Sequence, residues 1–246
     1  MAGLDWLSAR PIAHRGLQGE GLIENTLDAA AAAVAGNYGI EVDLQLAADG
    51  EVVVFHDDTL ERLTNGSGPL ATRTLAELKA LSFRASPERI PTLQELLARV
   101  AGRTPLVLEL KSEWNGDDRL AARLAAVLMS YAGPVAAMSF DPDLVAALIK
   151  HAPGLPRGIV AERHFRESEW PQLSLARRLA LGHLTHFFRT KPHFIAYRVE
   201  DLPALAPLVC RHVCGMPILT WTVRSEAQRR RARWWVNQVI FEGFRP

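Results

Sequence analysis

The chain has 246 residues, 48% of them hydrophobic, and its 28 basic and 27 acidic side chains nearly cancel to a formal charge of +1. This length accommodates one large α/β domain or two small ones with a sizeable core. The even charge balance argues against a nucleic-acid partner, because domains that bind nucleic acid are normally clearly basic.

Short apolar segments alternate with helical patterns along almost the whole chain. The predicted strands cover 10–14, 39–46, 105–111, 134–140, 157–162, 193–199, 217–223 and 237–243, and a run at 52–56 extends the second strand beyond a turn at Asp49-Gly50. Helices are predicted at 24–37, 92–103, 118–132, from Pro142 onward, near 174–186, at 203–214 and from Ser225 to about Trp235. Two helices begin with capping-box patterns, Thr92 with Glu95 and Ser225 with Gln228.

Alternating strands and helices predict an α/β fold with a parallel sheet. Eight strands in roughly 250 residues fit a TIM (β/α)₈ barrel, and a doubly wound open sheet is the alternative that the strand count leaves open. Residues 57 to about 91 interrupt the alternation with the turn-forming residues 65–68 and one short helical pattern. We expect a small insertion after the second strand, within a single domain of residues 1–246; a connection of this length forms a functional cap or, less often, a disordered loop.

The sequence also indicates where in the cell the protein is expected and whether it enters a membrane. The first 16 residues lack a basic segment followed by an apolar one, the pattern of a secretory signal peptide. No apolar run reaches the roughly 18 residues of a membrane span. The two cysteines, Cys210 and Cys214, do not indicate a disulfide framework. We expect a soluble, cytoplasmic protein without stable membrane insertion; the oligomeric state is not predicted.

Acidic residues occupy one face of two predicted strands. Glu41 and Asp43 alternate with apolar residues in the second strand, and Glu109 with Lys111 does so in the third. In a barrel, side chains at the carboxyl ends of the strands form the active site. Three buried carboxylates repel one another, and a divalent cation removes that repulsion. The all-oxygen donors therefore predict a site for Mg²⁺ or Ca²⁺.

Histidines and cations follow the same strand ends. His14 and Arg15 end the first strand, and His56 follows the second. Histidine titrates near neutral pH and is suited to proton transfer; as metal ligands, the two histidines would instead favour Zn²⁺ or Mn²⁺. Arg15 and Lys111 are suited to an anion, most simply a phosphate. Trp221 ends the seventh strand at the same edge. The pattern predicts a metal-dependent phosphate site.

The motifs that carry these residues resemble the glycerophosphodiester phosphodiesterase family. They are HRG at 14–16, ENT at 24–26, ExD at 41–43, ADGEVVVFHDDTLERLTNGSG at 48–68, LELK at 108–111 and WTV at 221–223. Three positions depart from the family pattern. Arg224 follows WTV where Asn is common, VIFEGFRP at 239–246 replaces the usual ending, and Ile23 rather than Pro precedes ENT.

The resemblance implies a TIM barrel with an insertion near 57–91, and an enzyme that hydrolyses glycerophosphodiesters to glycerol 3-phosphate and an alcohol. It implies His14 and His56 as catalytic histidines, which we assign as base and acid, and it implies phosphate contacts from Arg15 and Lys111. The implied ligands of one divalent cation are Glu41, Asp43 and Glu109.

A related barrel lyase that forms a cyclic phosphate from a lysophospholipid or phosphoinositide is the alternative function. In either enzyme the partner is a small molecule. We predict that Phe83, Trp114, Trp221 and Phe244 line a pocket for the alcohol. The Arg-rich run at 228–235 is interpreted as a solvated helix face with one or two tryptophans packed inward, and contact with anionic lipid is the other interpretation.

Overall fold

A computed structural model describes residues 3–246. Its strands are β1 (Ile12–Ala13), β2 (Gly39–Leu46), β3 (Val52–Val54), β4 (Leu106–Leu110), β5 (Val135–Ser139), β6 (Arg157–Ala161), β7 (Phe194–Arg198), β8 (Ile218–Val223) and β9 (Gln238–Phe241). β1 pairs in parallel with both β2 and β9, which closes eight parallel strands into a barrel. The TIM barrel prediction is confirmed, and the open sheet is wrong. β3 stands outside the ring and pairs antiparallel with β2, as a hairpin.

Helices follow most strands and cover the barrel. They are α1 (Asp5–Ser8), α2 (Leu27–Ala35), α3 (Leu75–Ala80), α4 (Leu93–Val100), α5 (Arg119–Leu128), α6 (Pro142–His151), α7 (Leu175–Gly182), α8 (Phe187–Thr190), α9 (Leu205–His212) and α10 (Glu226–Ala232). The Thr92–Glu95 capping box is confirmed. At α10, Ser225 caps the helix, but the Gln228 side chain accepts from the Arg224 backbone instead of Ser225. None of the described helices has the length and apolar character to cross a membrane.

The strands alternate between two apolar layers. Side chains such as Ile40, Val42 and Leu44 point outward into the core between sheet and helices. The inward set, which includes Ile12, Val107, Ala136, Val160 and Ile240, fills the barrel interior. α1 adds Leu7 to this interior cluster. The period of two therefore directs the remaining polar residues of β2 and β4 inward, above an apolar plug.

The segment after β3 has a small core of its own. Phe55, Leu60, Leu70, Leu78 and Phe83 are buried together. α3 lies in this segment and begins with a complete capping box from Thr74 and Glu77, which the sequence pattern indicated only as a short helix. The predicted insertion is thus packed against the hairpin, beside the carboxyl ends of β2 and β4.

His186, at the end of the predicted 174–186 helix, is half-buried. The structure divides that segment into α7 and α8, with His186 as the N-cap position of α8. Both ring nitrogens of His186 are buried without a hydrogen-bond partner. Burial, with a smaller contribution from Arg189, lowers the pKa of His186 to about 4. His183, three residues earlier, is exposed.

The stability of the fold should therefore depend on His186 at mildly acidic pH. An unfolded histidine titrates near 6.5, so between pH 6.5 and 4 the unfolded chain binds more protons than the folded chain. The neutral ring of His186 therefore has little effect on the pH dependence of the free energy of unfolding above pH 6.5, and that free energy decreases as the pH falls from 6.5 towards 4. In urea titrations at pH 7 and pH 5, wild type should lose about 2 kcal/mol more than His186→Leu. His183→Leu is the control and should behave as wild type. Equal losses in His186→Leu and wild type would contradict this origin.

Candidate active site

All eight residues predicted for the site line one cavity at the carboxyl ends of the barrel strands. The cavity has a volume of about 180 Å³. Its lining includes His14, Arg15, Glu41, Asp43, His56, Glu109, Lys111 and Trp221. Along β4 the inward side chains change from apolar Val107 to acidic Glu109 within two residues.

Three carboxylates form the base of the cavity. Glu41, Asp43 and Glu109 each present one oxygen within 4.8 Å of the other two, and all three residues are buried. Asp43 and Glu109 are direct neighbours in the parallel register of β2 and β4. The Glu41 Oε1 atom is buried with no hydrogen-bond donor. An all-oxygen set with an unsatisfied carboxylate oxygen fits a hard divalent cation.

Two cations partly neutralise this group. Lys111 Nζ lies 3.1 Å from Glu109 Oε1 and 3.3 Å from Asp43 Oδ1. The Arg15 guanidinium lies 3.3 Å from Asp43 Oδ2 and donates to Glu24 at 2.6 Å. Two positive charges face three carboxylates here, so the cavity keeps room for further positive charge.

The surrounding charges separate the pKa values of the two acids on β2. Burial, together with the Asp43 and Glu109 charges, raises the pKa of Glu41 well above its usual range. Burial acts in the same direction on Asp43, but Lys111 and Arg15 hold its pKa below the ordinary value. Of these two acids, Glu41 is therefore the one whose ionised form an additional cation would favour more.

A turn after β1 positions the Arg15 backbone against Glu41. Arg15 has a left-handed φ of 58°, and its amide donates to Glu41 Oε2 at 3.0 Å. Gly16 follows with a φ of 81°, and a Cβ at that position would lie 2.9 Å from the Ala29 Cβ. Asn25 donates its side-chain amide to Asp43 Oδ2 at 2.9 Å and accepts from the Asp43 backbone. The glycine of HRG and the asparagine of ENT thus fix the two acids of β2.

His14 is oriented by a carboxylate that directly follows the last strand. Its Nδ1 lies 2.6 Å from Glu242 Oε2, and its Nε2 lies 3.9 Å from Glu41 Oε2. The hydrogen bond from His14 lowers the pKa of Glu242 to about 2, so Glu242 is the acceptor and Nδ1 carries the proton. Arg224 donates to the other Glu242 oxygen at 2.6 Å. The His14 Nε2 atom is left facing the acidic group as a proton acceptor.

His56 has an equivalent partner next to it in sequence. Its Nδ1 lies 2.8 Å from Asp57 Oδ1, and Arg62 links Asp57 to Glu24 through a pair of hydrogen bonds on each side. Glu24, His56 and Asp57 form a second group with ligand atoms close enough for a metal ion, but the Arg62 guanidinium already donates to both carboxylates of this group. Burial lowers the pKa of His56, against the attraction of Asp43.

A larger groove of about 930 Å³ adjoins the cavity. His56, Glu109, Lys111 and Trp221 line both spaces, whereas His14 lines only the smaller one. One wall of the groove consists of Trp114, Phe140, Trp170 and Trp221. Trp170 contacts Trp114 and Phe140 with ring centroids 5.7 and 4.9 Å apart. The groove therefore offers an aromatic surface beside the polar cavity.

Two of the four aromatic residues predicted for an alcohol pocket lie elsewhere. Phe83 is buried in the core of the insertion, with its ring 6.4 Å from that of Phe55. Phe244 packs against Phe241 at 5.8 Å, on the outer side of the barrel. The prediction was therefore wrong for Phe83 and Phe244. Each lies near a motif in the sequence, but its ring packs into the nearest apolar layer and not towards the groove. Trp114 and Trp221 do line the groove.

The residues that orient the site were missed. Glu24, Asn25, Asp57, Arg62 and Glu242 contact the predicted residues through hydrogen bonds. The first four stand within the quoted ENT and HDDTLERL motifs, so a carboxylate directly after a histidine was a usable signal. Glu242 lay in the divergent C-terminal segment, where only the closure of β9 against β1 brings it to His14.

A (β/α)₈ barrel that gathers acids, cations and two histidines at its carboxyl face has the layout of a barrel enzyme. A sequence profile of the Glycerophosphoryl diester phosphodiesterase family matches residues 14–243, and the chain belongs to this family. It is therefore a phosphodiester hydrolase.

Individual relatives agree with this assignment. YhdW of Bacillus subtilis (strain 168) is 34% identical over 179 residues, covering 69% of this chain and 72% of YhdW. The glycerophosphodiester phosphodiesterase of the same organism is 27% identical over 255 residues, 95% of this chain and 83% of that protein. An Oleispira antarctica phosphodiesterase, solved in complex with the product sn-glycerol-3-phosphate, has a similar fold: the TM-score is 0.80 at 23% identity, covering 97% and 95% of the two chains.

Glu242 should act on the reaction through His14. Replacing Glu242 by Gln removes the charge that holds the Nδ1 proton, and we expect phosphodiester hydrolysis to slow by roughly 10–100-fold, the range found for groups that orient a catalytic residue. The matched control is Arg224→Gln, which removes the other partner of Glu242 and should have a smaller effect. Steady-state rates and their pH profiles check this. An unchanged rate and profile in Glu242→Gln would exclude the role.

Proposed function

We propose that the chain hydrolyses glycerophosphodiesters to glycerol 3-phosphate and an alcohol, with one divalent cation held by Glu41, Asp43 and Glu109. The observation that carries the proposal is the convergence of these acids with two histidines and two cations on one cavity. Membership of the family supports the reaction class. Hydrolysis is favoured over the cyclising lyase on the same ground.

The cation is a Mg²⁺ or Ca²⁺ ion in this proposal. The donors are all carboxylate oxygens, which are the ligands of hard cations, and the histidines are turned to other carboxylates through Nδ1. When bound, the ion would neutralise the three acids and polarise a phosphate oxygen. Zn²⁺, which favours nitrogen and sulfur donors, fits this set less well.

Arg15 and Lys111 hold the phosphate. Both side chains are more than three-quarters shielded, at 16% and 22% exposed, and both reach carboxylates on the cavity floor. Fixed cations at that depth stabilise the charge that develops on the phosphoryl oxygens in the transition state. Their pairing with Asp43, Glu24 and Glu109 keeps them extended towards the substrate position.

The two histidines exchange protons with the attacking water and the departing alcohol. His14 Nε2 takes the proton of the water as its oxygen bonds to phosphorus, and His56, in its doubly protonated form, gives its Nε2 proton to the alcohol oxygen as the bond from that oxygen to phosphorus breaks. Position supports this order. His14 borders only the small cavity, whereas His56 stands between that cavity and the aromatic groove, where the alcohol has room.

The closed sheet also supports the proposal that residues 1–246 act as one domain. β1 carries His14 and Arg15, and its two hydrogen-bonded neighbours are β2 and β9. The site therefore forms only when strands from the beginning and the end of the chain are joined.

The test is turnover on a panel of glycerophosphodiesters, with glycerol 3-phosphate and the free alcohol measured separately. His14→Ala and His56→Ala should each lower turnover by roughly 10²–10⁴-fold, while His183→Ala, an exposed control, leaves it unchanged. Exhaustive chelation should abolish activity, and Mg²⁺ or Ca²⁺ should restore it. Phosphorus NMR should show no cyclic phosphate. Full activity after chelation, or in both histidine variants, would refute the proposal.

A further inference from the structure

An unpaired basic and apolar surface lies on the flank of the barrel, formed by the adjacent helices α9 and α10. These helices follow β7 and β8, which are neighbours in the sheet. We propose that this α9–α10 face binds peripherally to a membrane surface containing anionic lipid. The inference does not depend on the proposed function, because the unpaired arginines and apolar residues that carry it line neither the catalytic cavity nor the groove; Arg224, which lines both, is paired with Glu242 and is not among them.

The charge of the chain is concentrated in this region. Residues 202–241 contain six arginines and no lysine, with Glu226 as their single acid, for a net charge of +5. The whole chain has a net charge of +1, so the remaining residues together carry −4. The nearly neutral total therefore conceals a strongly basic region, which is the type of surface that an anionic lipid layer attracts.

Several of these arginines have no acidic partner. Arg229 pairs with Glu226 at 3.2 Å, and Arg224 pairs with Glu242. Among the ion pairs of residues 3–246, none includes Arg230, Arg231 or Arg233, and these three residues are exposed. Their charge is thus directed to solvent and is not required by the fold.

An apolar stripe runs beside them along α9. Leu205, Val209 and Val213 are four residues apart and lie on one side of the helix axis. They are 78%, 44% and 78% exposed, while Cys210 and Pro207 face the core. A helix that exposes its apolar side chains to water in this pattern has an unpartnered face.

Trp234 joins the apolar and basic parts. It is 67% exposed, whereas Trp235 packs against the core, so one of the two tryptophans of this run packs inward. Arg211 of α9 donates to the Trp234 carbonyl at 3.3 Å, and the Arg233 guanidinium lies 4.7 Å from the Trp234 ring centre. Tryptophan beside arginine is the combination enriched where proteins meet the headgroup layer.

Anionic lipid suits this face better than the other occupants. A nucleic acid would use the arginines but leave Leu205, Val209 and Val213 exposed to water. A second copy of the chain would place like charges opposite one another, because an isologous contact pairs the same patch on both subunits. A membrane surface offers phosphates for the arginines and an apolar layer just beneath for the stripe. It would also leave the cavity mouth, at the end of the barrel, open to solvent.

Vesicle co-sedimentation with the full chain tests the proposal. Binding to phosphatidylcholine–phosphatidylglycerol vesicles is expected, with little binding to phosphatidylcholine alone and a decrease as salt is added. Each arginine near an anionic surface contributes about five-fold, so Arg230→Gln/Arg231→Gln/Arg233→Gln should weaken binding by roughly 100-fold. The matched control is Arg84→Gln/Arg89→Gln/Arg166→Gln, which removes the same charge from exposed, unpaired arginines elsewhere. Thermal unfolding checks that each variant is folded.

The apolar contribution is tested by Trp234→Ala and Leu205→Ser/Val213→Ser, which keep all six arginines. Both variants should weaken vesicle binding several-fold. In a separate measurement, brominated lipid should quench part of the tryptophan fluorescence of the wild type, and this quenching should be absent in Trp234→Phe. The proposal is overturned if wild type does not bind anionic vesicles, or if the two arginine triple variants lose binding equally. Tighter binding to duplex DNA without any effect of the apolar changes would identify a nucleic-acid surface. A dimer in light scattering that Leu205→Ser/Val213→Ser dissociates would identify an interface between copies.

Discussion

Mutual repulsion among three buried carboxylates is the constraint on which the site depends. The parallel register of β2 and β4 places Asp43 beside Glu109, and the strand period adds Glu41 on the same inward face. The register cannot shift without moving the apolar residues of both strands out of their layers, so the acids are held together by the core. Neutralising cations must therefore come to them, and Arg15 and Lys111 provide only part of the charge.

The remaining polar groups of the cavity are arranged around these three acids. Arg15 and Asn25 hold the acids of β2 from the segment between β1 and α2. Each histidine is turned so that Nδ1 meets a carboxylate further from the centre. Glu242 and Asp57 thus keep the Nε2 atoms towards the cavity. The insertion provides Arg62, which donates hydrogen bonds to both Asp57 and Glu24. Because Asp57 in turn contacts His56, the insertion supports the position of His56.

The barrel and the eight central residues were predictable because they follow from periodicity. Alternation in β2 and β4 determines which residues face inward, and a motif at a strand end is close to motifs at neighbouring strand ends. Glu242 and Phe83 show where that reasoning stops. The contact between Glu242 and His14 spans almost the whole chain and exists only because β9 closes on β1. Phe83 is buried by a local core within the insertion, and no periodicity in that irregular segment indicated its direction. The α9–α10 face was hidden in the same way, because whole-chain charge averages over an asymmetry between regions.

Anomalous diffraction from crystals soaked in Mn²⁺, a stand-in for Mg²⁺, tests most directly whether the three acids share one ion. One peak should appear in the cavity, bounded by carboxylate oxygens of Glu41, Asp43 and Glu109, and it should disappear in Glu41→Gln/Asp43→Asn crystals. A fully soaked crystal with no peak there, or with its peak among Glu24, His56 and Asp57 instead, would contradict a cation site at the centre of the barrel.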